Sequence, residues 1–206
     1  MRRTRVKFCG VTSADDAYAC EAAGADAVGL IFAPASKRRL TPATAAPVAA
    51  ALGPFVQRVG VFVQPSDGEV QAAIAACKLD VVQLHGEVDD RLVRMWRRRV
   101  RVVRALRFTP GSTPKEWSGR PHDGLLLDGP EPGSGRSFAW SEAEAWRATP
   151  NLILAGGLRP ENVAAAIEQM QPYAVDVASG IEERPGVKDP VRLRAFIDAV
   201  RAADAA

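Results

Sequence analysis

Three short apolar runs each end in a side chain that can move a proton. VKFC at 6–9 closes on Cys9, VVQLH at 81–85 on His85, and GLLLD at 124–128 on Asp128. A thiol and a carboxyl held at the mouths of separate elements can pass protons in opposite directions, one as base and one as acid. That chemistry makes demands on both groups. A cysteine, starting at about 8.5, must be lowered to act as a thiolate, and an aspartate, starting at about 3.9, must be raised to carry a proton near neutrality. Side chains alternate along an extended strand, so Lys7 shares a face with Cys9, Gln83 with His85, and Asp176 with Ala178. His85 titrates in the neutral range when unperturbed, and either contacts a ligand or hydrogen-bonds neighbouring loops. Lys7 either favours the thiolate or serves as an internal ion-pair partner.

A second group of residues suits the capture of an anion. Gly156 and Gly157 lie ahead of a helical stretch, Ser179 and Gly180 follow the final apolar run, and Gly133-Ser134-Gly135 lies in the loop after Asp128. Backbone N–H groups at such places can hold a phosphate. No P-loop or dinucleotide fingerprint is present, so neither ATP nor NAD chemistry is expected. The three cysteines form no C-x-x-C pair and no even framework, which argues against zinc and disulfides. Cys20 and Cys77 sit among alanines in helical stretches and read as packing residues.

The elements that must position these groups recur along the whole chain. Apolar, β-branched runs at 6–9, 27–32, 58–63, 81–85, 100–106, 124–128, 152–155 and 175–178 read as eight buried strands. Ala-rich stretches between them carry helix-start residues: Ser13, Thr41-Pro42, Ser66-Asp67, Asp89-Asp90, Ser141-Glu142, Pro160-Glu161 and Asp189-Pro190. The exception is TPGSTPKEWSGRPHD after the fifth strand, where three prolines and two glycines leave the helix short or absent. Eight units in this length allow about 26 residues each, close to the minimum for a strand, a crossover helix and two tight turns. The expectation is an α/β chain folded as one parallel eight-stranded (β/α)8 barrel over 1–206, with an open doubly wound sheet as the alternative. In a barrel, chemistry belongs at the C-terminal strand ends, where Cys9, His85, Asp128, the Gly156-Gly157 pair and Ser179-Gly180 all fall.

Composition narrows the partners. With 206 residues, 27 Lys+Arg against 24 Asp+Glu and 47% hydrophobic residues, the chain is that of a globular protein with a small positive excess. A charge of +3 suits a small phosphorylated ligand and does not require nucleic acid. The basic run at 94–104 (RMWRRRVRVVR) crosses a helix end into a strand and reads as a solvated terminus. No apolar run is long enough to span a membrane, and the basic start never enters a signal-peptide core, so a cytoplasmic location is expected. A monomer and a homodimer both fit.

Several runs also resemble a known family, the phosphoribosylanthranilate isomerases of tryptophan biosynthesis. They include KFCGVTSADDA (7–17), GADAVGLIF (24–32), SKRRLTP (36–42), RVGVFV (58–63), LDVVQLHG (79–86), LLLDG (125–129), LAGGLRPENV (154–163) and VDVASGIEERPGVKD (175–189). The resemblance covers nearly the whole chain in order. It implies an Amadori rearrangement of N-(5'-phosphoribosyl)anthranilate to 1-(2-carboxyphenylamino)-1-deoxyribulose 5-phosphate without metal or organic cofactor, with Asp128 as general acid and Cys9 as general base. It further implies that Arg38 pairs with the anthranilate carboxylate, that amides around Gly157 and Ser179-Gly180 hold the phosphate, and that Asp176 orients the amine or polarises the iminium. Arg39 stands where an aromatic is usual, Pro132-Gly133-Ser134-Gly135 where G-G-T-G is common, and Ala178 where serine is frequent. Ala178 shifts the phosphate contact onto backbone amides. A related barrel isomerase of the histidine pathway would need two strand-end aspartates, whereas the first strand here ends in cysteine. A non-catalytic phosphate-binding barrel would keep the glycine loops without needing both Cys9 and Asp128.

Overall fold

The computed structural model describes residues 3–129 and 140–206 of the chain. Eight parallel strands close into a barrel in sequence order: β1 Arg5–Cys9, β2 Ala27–Ile31, β3 Gln57–Val63, β4 Val81–His85, β5 Arg101–Arg107, β6 Gly124–Asp128, β7 Leu152–Leu154 and β8 Ala174–Val177. β8 pairs with β1, placing Lys7 opposite Asp176, so the sheet has no free edge and the open doubly wound alternative is excluded. Gly133 and Gly135 lie outside the described residues.

Helices follow the strands where the start signals place them. α1 (Ala14–Ala23) is capped by Ser13, whose side chain accepts from the Asp16 N–H, and α2 (Pro42–Ala50) and α3 (Asp67–Cys77) begin with capping boxes at Thr41 and Ser66. Asp89 caps α4 (Asp90–Trp96), and Asp189 caps the final helix, Pro190–Ala205. After β5 there is only a 3-10 turn, Pro114–Trp117, as the prolines dictate. The Ser141-Glu142 signal leads to a 3-10 stretch, Trp140–Trp146, rather than an α-helix. That segment is pinned by burial of Trp146, whose indole N–H donates to the Ser112 carbonyl at 3.0 Å. The helix after β7, here α5 (Val163–Met170), starts three residues past Pro160, and Ser179–Ile181 forms a 3-10 turn leading into a small hairpin, β9 (Glu182–Arg184) and β10 (Val187–Lys188). In chain order the final helix is α6.

Alternation along each strand builds two apolar shells. Outward residues such as Phe8, Leu30, Leu125 and Leu127 pack with Trp96, Phe196 and the other helix residues. Inward residues Val59, Val61, Val81, Val103, Leu126 and Ala155 fill the barrel around Cys9. Cys20 and Cys77 are buried in α1 and α3, in packing roles. The basic run at 94–104 is dispersed by this geometry. Arg97, Arg98 and Arg99 are exposed at the end of α4, with Arg97 paired to Asp123, but Arg104 is buried on the outer face of β5 against Asp90 and the Pro121 carbonyl. The solvated-terminus reading therefore holds for the helix end and fails for Arg104, because an outward side chain on a barrel strand is covered by helices.

Candidate active site

At the C-terminal end of the barrel the inward residues enclose a cavity of about 210 Å³. Cys9, Arg38, Gln83, His85, Asp128, Gly156, Gly157, Asp176 and Ser179 all line it, together with Ser36 and Ala178. Strands from four quarters of the barrel thus bring the expected thiol and carboxyls to one space. Lys7 lies one inward position below Cys9, does not itself line this cavity, and donates to Asp176 Oδ1 at 2.8 Å from the side of the opposite end of the barrel. A larger cavity of about 610 Å³ opens at the opposite end, lined by Arg5, Gln57, Arg101, Asp123, Asn151 and Tyr173 among others. It holds neither Cys9 nor Asp128 and none of the glycine loops, so the smaller cavity is the candidate site. Gln83 reaches both.

The charges in the mouth follow from burial first. Asp128 is raised to about 6, chiefly by desolvation and then by the neighbouring Asp176 carboxylate, against a hydrogen bond from the Gly129 N–H at 2.8 Å. That suits a group that must carry a proton near neutrality. Cys9 departs from the demand set by its chemistry: desolvation pushes its thiol up, outweighing the Lys7 ammonium that favours the thiolate. Burial thus favours the neutral thiol at Cys9. Burial works against the Lys7 ammonium, yet Asp176 and Cys9 hold its pKa above the ordinary lysine value. His85 is not a neutral-range titrator here: burial, then Lys7, bring it down to about 4. Its Nε2 lies 3.0 Å from Gln83 Nε2, so with the amide donating, the neutral ring keeps its proton on Nδ1.

The two loops expected to hold an anion approach each other closely. A Cβ on Gly180 would fall 2.0 Å from the Leu158 carbonyl oxygen, so the turn after β8 lies against the loop after β7 only because this residue has no side chain. Asn162 ties that second loop, donating to the Gly157 carbonyl at 3.0 Å and accepting from the Arg159 N–H at 2.9 Å. Ser179 and Gly157 line the cavity, whereas Gly180 serves as the contact between the loops. Gly157 is separated from the first turn of α5 by residues 158–162, so the helix does not begin at the glycines.

Sequence reasoning assigned no role to Gly10, Glu182 or Lys188, although all three lie in the quoted family-like runs. Arg38 crosses directly over Gly10, whose φ of +75° and lack of Cβ leave room for the Arg38 Cδ that would otherwise sit 2.3 Å away. Glu182 pairs with both Arg38 and Lys188, and Lys188 Nζ donates to the Cys9 carbonyl at 2.6 Å. Arg39 is exposed, turned away from the cavity that Arg38 lines.

Comparisons with known proteins agree with this arrangement. The family model described as N-(5'phosphoribosyl)anthranilate (PRA) isomerase matches residues 6–199. The protein of Acidithiobacillus ferrooxidans named N-(5'-phosphoribosyl)anthranilate isomerase is 46% identical, covering 98% of this chain and 99% of its own. The crystal structure of phosphoribosyl anthranilate isomerase from Thermus thermophilus superposes with a TM-score of 0.91 at 42% identity, over 97% of this chain and 99% of the other. A further structure, 38% identical with a TM-score of 0.85 over 97% of this chain and 99% of the other, is of phosphoribosyl anthranilate isomerase in complex with reduced 1-(o-carboxyphenylamino)-1-deoxyribulose 5-phosphate. This chain belongs to the N-(5'-phosphoribosyl)anthranilate isomerase family.

Proposed function

We propose that this chain converts N-(5'-phosphoribosyl)anthranilate to 1-(2-carboxyphenylamino)-1-deoxyribulose 5-phosphate by acid–base catalysis. The observation that carries the reading is the pairing, across one cavity, of the Cys9 thiol with an Asp128 carboxyl raised to about 6. Asp128 donates its proton to the ribose ring oxygen; the C1'–O bond breaks and leaves an iminium. Cys9, as thiolate, takes the proton from C2', giving an enolamine. Return of a proton to C1' and loss of the enol O–H proton give the ketone, with no net change in oxidation state or in the two groups. Arg38 takes the anthranilate carboxylate through a charge-assisted contact. The amides around Gly157 and Ser179 hold the phosphate, and Asp176, beside Lys7, faces the developing iminium.

A phosphorylated ligand that cannot cross a membrane unaided fits the cytoplasmic placement, and among the described residues no helix is long and apolar enough to cross one. The state in solution is a monomer or a homodimer. A Thermotoga maritima relative is described as dimeric, with monomers generated from it, and the 94% exposed Phe55 at the rim of the larger cavity favours pairing here too. Sedimentation of wild type and Phe55→Glu separates the two.

The test of function is loss of phosphoribosylanthranilate fluorescence on adding the purified protein. Turnover that disappears in Cys9→Ala and in Asp128→Asn, with binding of a product analogue retained, supports the assignment. A folded wild type that binds the analogue without turnover would leave only the non-catalytic barrel.

A further inference from the structure

Assigning a ligand carboxylate to Arg38 raises the question of what holds a long, loop-borne side chain in one pose. Arg38 follows β2 in a loop, and its rotamer freedom would have to be frozen at each binding event if nothing fixed it beforehand. Here it is fixed. Nε donates to Glu182 Oε1 at 2.7 Å and Nη2 donates to Oε2, a side-on fork between side chains that are 11% and 3% exposed. Glu182 is itself anchored by Lys188 Nζ at 2.8 Å and by the Gly186 N–H at 3.2 Å. Lys188, with a fully inaccessible side chain, completes the chain of contacts by donating to the carbonyl of Cys9.

Two features suit this cluster to a further anion. A guanidinium offers five N–H groups, and the side-on edge is consumed by Glu182. Among the described residues no acceptor meets Nη1, so the end-on edge of Nη1 and Nη2 is open, on a residue that lines the cavity. The side chains of Arg38, Glu182 and Lys188 also carry two positive charges against one negative. A bound carboxylate would balance them in a poorly solvated place.

We propose that Glu182 is the positioning residue for carboxylate recognition, clamping Arg38 by one edge so that the other is presented ready-made to an aryl carboxylate. The proposal rests on the reading of Arg38 as the carboxylate contact. Glu182 immediately follows the Ser179–Ile181 turn, so one short segment serves the phosphate at its start and the carboxylate clamp at its end.

The test is calorimetric binding of two ligands, the reduced carboxyphenylamino product analogue and its phenylamino counterpart without the carboxyl. They are compared in wild type, Arg38→Ala, Glu182→Gln, Glu182→Asp and the Arg38→Ala/Glu182→Gln double variant. Wild type should prefer the carboxylated ligand by roughly 10- to 100-fold, the range of a charge-assisted hydrogen bond, and Arg38→Ala should lose the preference. Glu182→Gln should cut the preference roughly tenfold with the carboxyl-free ligand little changed, raising KM for the substrate more than it lowers kcat. In the Arg38→Ala background it should change the preference no further. Glu182→Asp keeps a charge for Lys188, shortens the reach to Arg38, and carries the test if the amide variant does not fold. Preference retained in folded Glu182 variants, or both ligands weakened alike, would overturn the proposal while leaving Arg38 in its role. Preference retained in Arg38→Ala would overturn the reading of Arg38 itself, and the proposal with it.

Discussion

Lys7 and Asp176 face each other in register where β8 closes on β1, with Nζ 2.8 Å from Oδ1 and both side chains nearly inaccessible. The ammonium is the charge that favours a thiolate at Cys9, while Asp176 keeps that ammonium from being an unpaired ion in the barrel.

Lys7→Met should therefore lower kcat roughly 10- to 100-fold near neutrality by removing the charge that favours the thiolate. The high-pH side of the kcat profile should move upward, so that the deficit shrinks as pH rises. Adding Asp176→Asn should recover thermal stability, since no buried charge is then left alone, but not rate. A Lys7→Met profile with the shape and position of wild type would remove Lys7 from any electrostatic role.

Burial moves Cys9 and Asp128 upward together, so above about 6 and below the higher thiol value the pair holds one proton, favoured on Cys9. The arrangement the proposed mechanism requires has the same charge, with the proton on Asp128. Activity should fall as pH drops through about 6, where a second proton silences the base. Carbon-13 titration of the aspartates in the empty protein should show a carboxyl near 6 that is missing from Asp128→Asn. If every aspartate titrates in the ordinary range, the acid assignment loses its physical basis.

The raised Asp128 also has a consequence for stability. Its folded value of about 6 exceeds the ordinary 3.8, so folding is favoured by this group below the lower value and loses that advantage as pH rises through the upper one. Asp128→Asn keeps an acceptor for the Gly129 N–H and carries no charge to desolvate. It should be inactive yet more stable than wild type at pH about 8, by up to ~3 kcal/mol, with the gap closing below about pH 4. Denaturant midpoints across pH measure this; a variant less stable than wild type throughout contradicts it.

His85, held at about 4 by burial and then by Lys7, should remain a neutral imidazole. Its folded value lies below the unfolded one, so its contribution to stability is present above about 6.5 and is lost as pH falls. Ring proton and nitrogen shifts should stay flat between about pH 5.5 and 8, with the proton on Nδ1. A titration midpoint within that window would show that the ring is not held as the Gln83 contact implies.

The barrel was legible because its strands are buried on both faces. GLLLD, with Leu125 and Leu127 packing outward and Leu126 inward, is apolar throughout until Asp128, which is why a carboxyl at its end stood out. Arg104 misled because its charge marks it as a surface residue, while Asp90 and backbone carbonyls make its burial tolerable. The direction of the Cys9 shift was beyond a sequence reading, since it depends on whether desolvation or Lys7 prevails. Glu182 was hidden in another way: its neighbour Glu183 is exposed, nothing local tells the two apart, and its partner Arg38 lies 144 residues away. Pairings across such separations are decided only when the last turn folds over the first strand.

The layer of Lys7, Gln83 and Asp176 stands between the two cavities, with exposures of 6%, 2% and 8%. Among the described residues, a barrel partitioned at this level leaves the C-terminal mouth as the way into the smaller cavity, so under the proposed function product should leave by the path its precursor took. Under the proposed function, substrate and product would share one vestibule, so product should inhibit competitively, and more strongly the tighter the Arg38 and glycine-loop contacts hold it.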